Sequence, residues 1–522
     1  MNQTAVILVI LIAYLVLNLV VGIIASRSGG KSRSFLKEYF IGGRTMGGLV
    51  LAMTLVATYT SASSFLGGPG LSASWGLTQS WVAAVQIGTA FLTLGVLGKK
   101  LAIVSRKIGA VTITDYLRAR YQSPIVVVLC SICLVVFFIT QMVAQFIGGA
   151  TLMQTVTGLP YWAGLLLFAG IVVVYTAVGG FKAVVATDTV QGIIMTIGTF
   201  LLLLFVIKAG GGMGNIVSFL DANNPGWDLF GKGVYGAETA SLQPGYLISF
   251  WVLVGIGVLG LPQTAVRSMG FKDTQSMHRA MMYGTIVVGI LMIGMHFAGA
   301  LTLPLLPEGG LGSTDAVIPY VVLHYMPAWA AGLFLAAPLA AVMSTVSSLL
   351  ILASATIIKE VLVNYIWKKP ELDQAETGHS DRTLDVENKE EAKALTDQNA
   401  HAQILPKISF GLTLVLGMIA FIIALSPPDI IVWINLFAMG GLEATFFWPL
   451  IGGLYWKKGN AACCIGSIIC GVATYVFFNQ VKILPFNIHE IVAGLLVGGI
   501  VYFLIGLIMN REPSEEVLKK CF

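Results

Sequence analysis

The sequence predicts an all-α polytopic membrane protein of 13 transmembrane helices, and three observations carry that expectation. Of the 522 residues, 57% are hydrophobic and only 11% charged, whereas a soluble protein carries roughly 25% charged residues. Thirteen apolar segments are long enough to cross a hydrocarbon layer about 30 Å thick. Positive charge is also unevenly placed: with the N-terminus outside, 27 of the 30 Lys and Arg fall in inside loops, leaving Lys208, Lys232 and Lys482 outside. Such an excess marks the cytoplasmic face, so the N-terminus is expected outside, the C-terminus inside, and the number of spans odd. No basic patch interleaved with exposed aromatics points to nucleic acid, and the longest polar stretch, 359–407, is too short and biased for a soluble enzyme domain.

The first span, 5–25, lies in a segment 1–26 with no basic run before it. It ends in Ser26-Arg27 rather than a small-residue cleavage pattern, so it reads as an uncleaved helix. The second, 46–72, is apolar but a poor helix in its middle: Thr58, Tyr59, Thr60, Ser61, Ser63 and Ser64 crowd together, and Gly67, Gly68, Pro69 and Gly70 follow. A lipid-facing helix cannot interrupt its backbone bonds. The break therefore either lines a protein cavity and hands its freed carbonyls to a cation, or is only a straight helix whose small residues pack closely. The third span is 77–98. The fourth, 123–152, carries Gln141 and Gln145, and its Cys130 and Cys133 have neither a second pair nor a nearby His, which suits packing.

The fifth and sixth spans are 160–178 and 188–208. Asp188 follows Thr187 at the start of the sixth, where it is suited to cap the helix. The seventh, 244–263, is the second weak helix, with Gly255, Gly257, Gly260 and Pro262 in one run and Trp251 before them. Arg267 reads as an anchor at its inner end. His296, in the eighth span (281–303), reads as a satisfied core histidine. In the ninth, 329–357, Ala341, Ser344, Thr345 and Ser348 share one helical face, and Pro338 precedes them. Each hydroxyl alone suits a bond to its own preceding turn; their concentration on one face does not follow from that habit. A mostly disordered linker, 359–407, is expected next. Spans at 408–426, 430–455, 460–479 and 489–509 and a tail, 510–522, complete the chain. Glu443, deep in the eleventh span, is a functional-site candidate by its depth alone: either neutral and hydrogen-bonded, or engaged in ion coupling or packing.

The second and seventh spans sit five apart, the spacing expected if spans 2–6 and 7–11 form halves of opposite orientation. Paired broken helices in corresponding positions point to a transporter's binding site. The chain then divides into a first repeat, 46–208, a second, 244–455, and two additional spans, 460–509.

GGPG at 67–70, GGFKAVVATDTVQG at 179–192, LPQTAVR at 261–267 and AAVMSTVSSLL at 340–350 resemble motifs of the sodium/solute symporter family. The resemblance implies a LeuT-type fold of two inverted five-helix repeats in a bacterial cytoplasmic (inner) membrane. It also implies a sodium site formed by the carbonyls of Ala57, Thr60 and Ala341 and the hydroxyls of Ser344 and Thr345, and a sodium-release or gating role for Asp188. The stretches 37–70, 249–267, 278–301 and 354–360 are similar to members that carry pantothenate. Proline carriers are more distant: where they have an acidic residue in the broken helix this chain has Tyr59, and their pocket aromatics align with Val254 and Val258. The expected activity is sodium-coupled uptake of pantothenate, an organic anion. The alternatives are another monocarboxylate, a sugar acid or an amino acid such as proline, or a sensor or channel of the same fold. For the solute, Ser61, Ser63, Ser64, Gln141, Gln145 and Trp251 are candidates, each equally explicable as packing. No span presents a catalytic dyad or paired metal ligands, so no enzyme is expected.

Overall fold

In a computed structural model the described residues are 3–27, 39–223, 244–307, 310–367, 389–426, 431–481, 483–485 and 488–522. They are helical, with no β-strand among the described residues beyond an isolated bridge between Met46 and Phe271. Ten helices are long and apolar enough to cross a membrane, and two bent pairs raise the count to as many as twelve. In chain order these are α1 (Gln3–Arg27), the pair α2a and α2b (Gly48–Tyr59, Ser63–Trp75), α3 (Thr78–Ile108), α4 (Pro124–Thr157) and α5 (Tyr161–Ala209). The pair α6a and α6b (Ile248–Gly260, Pro262–Met269), α7 (Thr274–Ala300), α8 (Ala328–Ile366) and α9 (Ile404–Ala424) follow, then α10 (Ile431–Tyr455), α11 (Ala461–Val481) and α12 (Glu490–Met509).

The expected fifth and sixth spans are one 49-residue run, α5, whose Gly180 has φ 59° and ψ −161°. Only glycine adopts that backbone without strain. An unbroken helix of that length would be roughly 74 Å long at 1.5 Å per residue, more than twice the hydrocarbon thickness, so the turn at Gly180 matters to how α5 fits a bilayer. A Cβ at Gly180 would also stand 2.5 Å from the Tyr39 ring.

Burial separates the centre from the rim. The most apolar stretch of α8 is wholly buried, and that of α10 is 78% buried, against 33% for α1, α9 and α11. Apolar residues such as Val9, Ile12 and Val16 of α1 and Leu496, Ile500 and Leu504 of α12 are exposed on the rim, as lipid contact requires. Small residues bring the centre close: a Cβ at Gly198 of α5 would meet Ala337 of α8 at 2.6 Å, and one at Gly299 of α7 would meet the Pro69 carbonyl at 2.2 Å.

Two boundaries differ from the sequence reading. The polar linker is helical at both described ends: α8 continues through Ile366 over wide turns, and the helix containing α9 begins at Lys389. Its first residues are rich in Ala, Glu, Lys and Gln, which are good helix formers whatever their charge; residues 368–388 lie outside the described residues. At one end of the bundle a short helix, Ile113–Tyr121, is capped by Thr112 and Asp115 reciprocally. There Arg118 pairs with Glu360, Lys359 with Asp115 at 3.8 Å, and Arg120 donates to the carbonyls of Gly453, Trp456 and Lys457.

Candidate functional site

The first break starts where α2a ends. Thr60 is extended (φ −72°, ψ 134°) and its N–H still bonds the Val56 carbonyl, so Ala57 through Thr60 present carbonyls with no helical successor. The chain turns by 74° and resumes as α2b. The freed groups are answered from other helices. The Ala62 N–H donates to Gln145 Oε1 at 2.9 Å, and the Ser61 N–H to Ser64 Oγ at 3.4 Å. Ser344 Oγ stands 2.8 Å from the Ala57 carbonyl and 3.0 Å from that of Ala341; Thr345 Oγ1 stands 2.8 Å from the Thr60 carbonyl and 2.9 Å from that of Ala341. All five residues named from sequence as sodium ligands therefore meet at one buried point between α2 and α8.

That donor set fits an alkali cation. Ser344 Oγ also lies 2.9 Å from the Ala340 carbonyl, so two hydroxyl protons face four carbonyl oxygens, and acceptors outnumber donors. The negative end of the α2a dipole adds to the field. Neutral carbonyl and hydroxyl oxygens at the end of an unwound half-helix are the oxygens that hold sodium in transporters of broken helices. Among the described residues no group of three His, Cys, Asp or Glu forms a metal cage, and a calcium site would draw on carboxylates.

Beneath this point lies a buried ionic cluster. Asp188 Oδ2 accepts from Thr54 Oγ1 at 2.6 Å and from Arg267 Nη2 at 3.3 Å. Arg267 also donates to Thr58 Oγ1 and Ser348 Oγ, at 3.2 and 2.5 Å, and lies over the Phe181 ring. Asp188 and Arg267 are both fully buried. The capping reading of Asp188 is thus corrected: the helix resumes directly after Gly180, Asp188 sits well inside it, and its carboxylate is occupied by side chains of α2a and α6b. Arg267 is corrected as well. The seventh span extends past 263 to Met269, which places the guanidinium inside the bundle, not at its edge.

The second break, at Leu261 (φ −89°, ψ 110°), bends α6 by 51° with Pro262 opening α6b. Tyr59 ties the first break to α3 and α6a, its hydroxyl standing 2.9 Å from Gln86 Oε1 and 3.1 Å from the Val254 carbonyl. Among the solute candidates, Gln145 and Gln141 both donate to Asn435 Oδ1, at 3.0 and 3.4 Å, and Gln263 Nε2 donates to Gln141 Oε1 at 3.4 Å. Ser63 Oγ, Thr60 Oγ1 and Gln263 Oε1 are buried with no hydrogen-bond partner among the described residues. Ser61, Ser63, Ser64, Gln141 and Gln145 therefore gather around the first break. Trp251 does not: it is 43% exposed, like its neighbours Ile248 and Ile256.

Sequence reasoning missed Gln263, Asn435, Gln86 and the burial of Arg267. Gln86 and Asn435 are lone polar residues in apolar runs, where depth was the only available signal, whereas Gln263 and Arg267 lie in the mixed stretch PQTAVRS, which reads as a span end. His296 matches its expectation, its Nδ1 bonding the Met292 carbonyl at 2.8 Å. Glu443 is fully buried, and neither of its carboxyl oxygens has a hydrogen-bond partner among the described residues. A cavity of about 450 Å³ opens beyond α2b, lined by Leu71, Ser74, Trp75, Thr314, Val432 and Trp433 among others.

The sequence model of the sodium:solute symporter family matches residues 39–381 and 392–471. The chain belongs to that family. It is 44% identical over 508 residues to the sodium/pantothenate symporter of Escherichia coli K12, covering 97% of this chain and 98% of that one. It is 42% identical to the sodium/pantothenate symporter of Haemophilus influenzae, over 93% of each chain, and 26% identical to a sodium/proline symporter of Staphylococcus aureus, over 92% and 89%. Among solved structures, a Na⁺-coupled sialic acid symporter in a substrate-bound outward-open state superposes with a TM-score of 0.75 at 18% identity, covering 98% of both chains. Mhp1, a nucleobase-cation-symport-1 family transporter, gives 0.51 at 14% identity over 92% and 97%. The family resemblance is borne out: this is an integral membrane transporter with a LeuT-like fold, not an enzyme, and its family couples transport to sodium.

Proposed function

We propose that this chain is a sodium-coupled symporter that carries pantothenate into the cell by alternating access. The observation that carries the reading is the convergence of Ala57, Thr60, Ala341, Ser344 and Thr345 across the broken helix. The likeness to two pantothenate symporters over nearly the whole chain supports the solute. Sodium, as cargo, binds the three carbonyls and two hydroxyls; its charge satisfies the surplus acceptors and ties α2 to α8.

The solute lies beside it, on the amides of Gln141 and Gln145 and the hydroxyls of Ser61, Ser63 and Ser64, with Gln263 and Asn435 completing the set. The unpartnered Ser63 hydroxyl suits a carboxylate oxygen, and the unpartnered Gln263 Oε1 suits a solute hydroxyl. The positive N-terminal end of α2b favours an anion there. The Asp188–Arg267 pair, linked to Thr54, Thr58 and Ser348, holds α2a, α5, α6b and α8 together below the ion. It acts as the gate through which sodium leaves.

In this reading α5 crosses twice, turning at Gly180, which makes 13 spans. Residues 46–208 and 244–455 are two inverted five-helix repeats, with 359–407 joining two spans inside the second. Residues 1–26 and 460–509 are additional spans, 510–522 is an inside tail, and the N-terminus is outside in a bacterial cytoplasmic (inner) membrane. The deciding experiment is uptake of labelled pantothenate by proteoliposomes under an imposed sodium gradient. Uphill, saturable uptake with sodium, absent with potassium or a proton gradient alone, is expected. Non-saturating flux without accumulation would make the protein a channel, and competition by another monocarboxylate at lower concentration would replace the solute.

A further inference from the structure

Glu443 is a fully buried carboxyl that the sodium and solute sites do not use, and neither of its oxygens has a partner among the described residues. It points from α10 at the glycine run before the second break, and no described residue forms an ion pair or hydrogen bond with it. A Cβ built on Gly257 would lie 2.2 Å from Glu443 Oε2 and 2.6 Å from its carboxyl carbon, and one on Gly260 would lie 2.9 Å from Glu443 Cα. The carboxyl is therefore pressed onto the backbone of the glycine run that ends at the Leu261 break.

The ionisable groups around it are Tyr59 from α2a and Tyr475 from α11, whose hydroxyls donate to backbone carbonyls of Val254 and Phe437. On the α4 side stands Cys133, close to Thr445. Glu490 of α12 bears on Tyr475 and pairs with His489 at 3.3 Å. Of these, the tyrosines and the thiol are neutral near neutral pH and His489 is paired with Glu490, so among the described residues no unpaired positive charge faces Glu443. A bare carboxylate buried without a partner is strongly disfavoured, and the closeness of Gly257 leaves no gap for a metal ion on that side.

We propose that Glu443 is a proton-binding site. It holds a proton in this conformation, and when α6 moves and the contact with Gly257 opens, the O–H bond breaks, the proton passes to admitted water and a carboxylate remains. Proton occupancy then favours the closed α6–α10 contact and makes transport respond to pH. A glutamine would fill the same volume and stay neutral; the acid differs from it in being able to lose the proton. The link to transport rests on the symport reading above, while protonation itself does not.

The test uses the full-length protein in proteoliposomes with sodium and labelled pantothenate. Dicyclohexylcarbodiimide, an apolar reagent that couples to protonated buried carboxyls, is applied and the Glu443 adduct measured by mass spectrometry. Labelling is expected at about pH 6 and should fall at least about fivefold by about pH 9, as for a carboxyl that titrates in an apolar site. Sodium-driven uptake by the wild type should fall over the same range, and Glu443→Gln should lose that response. No adduct at either pH overturns the proposal. So does labelling that does not change with pH, or an uptake profile the same in Glu443→Gln as in the wild type. Protection by sodium but not potassium at fixed pH would put a metal ion on the carboxyl and also overturns it. Should Glu443→Gln fail to reach the membrane, the pH dependence of wild-type labelling decides alone. Wild-type protein that shows this labelling but takes up no pantothenate supports the proton site and overturns the solute instead.

Discussion

At the scale of single residues, the arithmetic of donors and acceptors makes the prediction. Ser344 and Thr345 each have one proton, and four carbonyls lie within 3.0 Å of their oxygens. Replacing both with alanine removes two of the five ligands and leaves the Ala57 and Thr60 carbonyls without a partner. The double variant should raise the sodium concentration for half-maximal uptake by about tenfold or more, ~1.4 kcal/mol or above of ion binding, at unchanged membrane abundance. An unaltered sodium dependence would remove this site. The Asp188–Arg267 pair carries a second prediction, because removing one partner of a buried pair strands the other. Arg267→Ala should destabilise the protein by about 3–5 kcal/mol, read as thermal unfolding in detergent, while Arg267→Gln combined with Asp188→Asn should recover much of that loss. The hydroxyl face was legible in sequence because Ser and Thr recur at helical spacing in an otherwise apolar run. Arg267 was not, since a charge four residues beyond a predicted span end looks like a loop residue, and nothing local shows that α6b carries it inward.

At the scale of elements, the two broken helices were legible for a physical reason: glycine and proline weaken a helix wherever they stand, and a bilayer forbids a break that faces lipid. What they pack against was not legible. The Gly257–Gly260 run lets α10 approach until the Glu443 carboxyl touches the α6 backbone, and no pattern in either segment announces that contact. Trp251 illustrates the same limit, for its position relative to the break depends on the helical phase through an irregular stretch, Val252–Ile256, with wider turns than an α-helix. The close approach makes a third prediction. Gly260→Ala would set its Cβ 2.9 Å from Glu443 Cα and 3.0 Å from the Phe447 nitrogen, and backbone cannot yield as a side chain can. A loss of about 1–3 kcal/mol is expected from such overpacking, measured by thermal unfolding. By contrast, Gly109→Ala, where no atom lies within 4 Å of the added Cβ but φ is +70°, should cost only the strain of that backbone, about 1–2 kcal/mol. Equal stability of Gly260→Ala and wild type would mean that α6 and α10 do not meet this way.

At the scale of the whole molecule, charge placement and helix length constrain one another. Arg120, Arg267 and Lys359 are buried, so three of the charges counted as inside loop charge belong to packed elements; the remaining excess still has the same sign, because the bias over 30 residues is far larger than three. An orientation with the N-terminus outside and the C-terminus inside requires an odd number of spans, and with both bent pairs taken as spans the ten helices and two pairs become odd when α5 crosses twice at Gly180. Orientation and the Gly180 turn are therefore tested together. In a background with the native cysteines replaced, Gln3→Cys and Glu512→Cys, both at exposed positions, are probed in intact cells with a maleimide that does not cross the membrane. Labelling of Gln3→Cys alone, with Glu512→Cys labelled only after the cells are opened, is the expected pattern. Both sites labelled from the same side would make the span count even. The two halves of α5 would then have to be one tilted helix, and the inverted relation between 46–208 and 244–455 would fail with it.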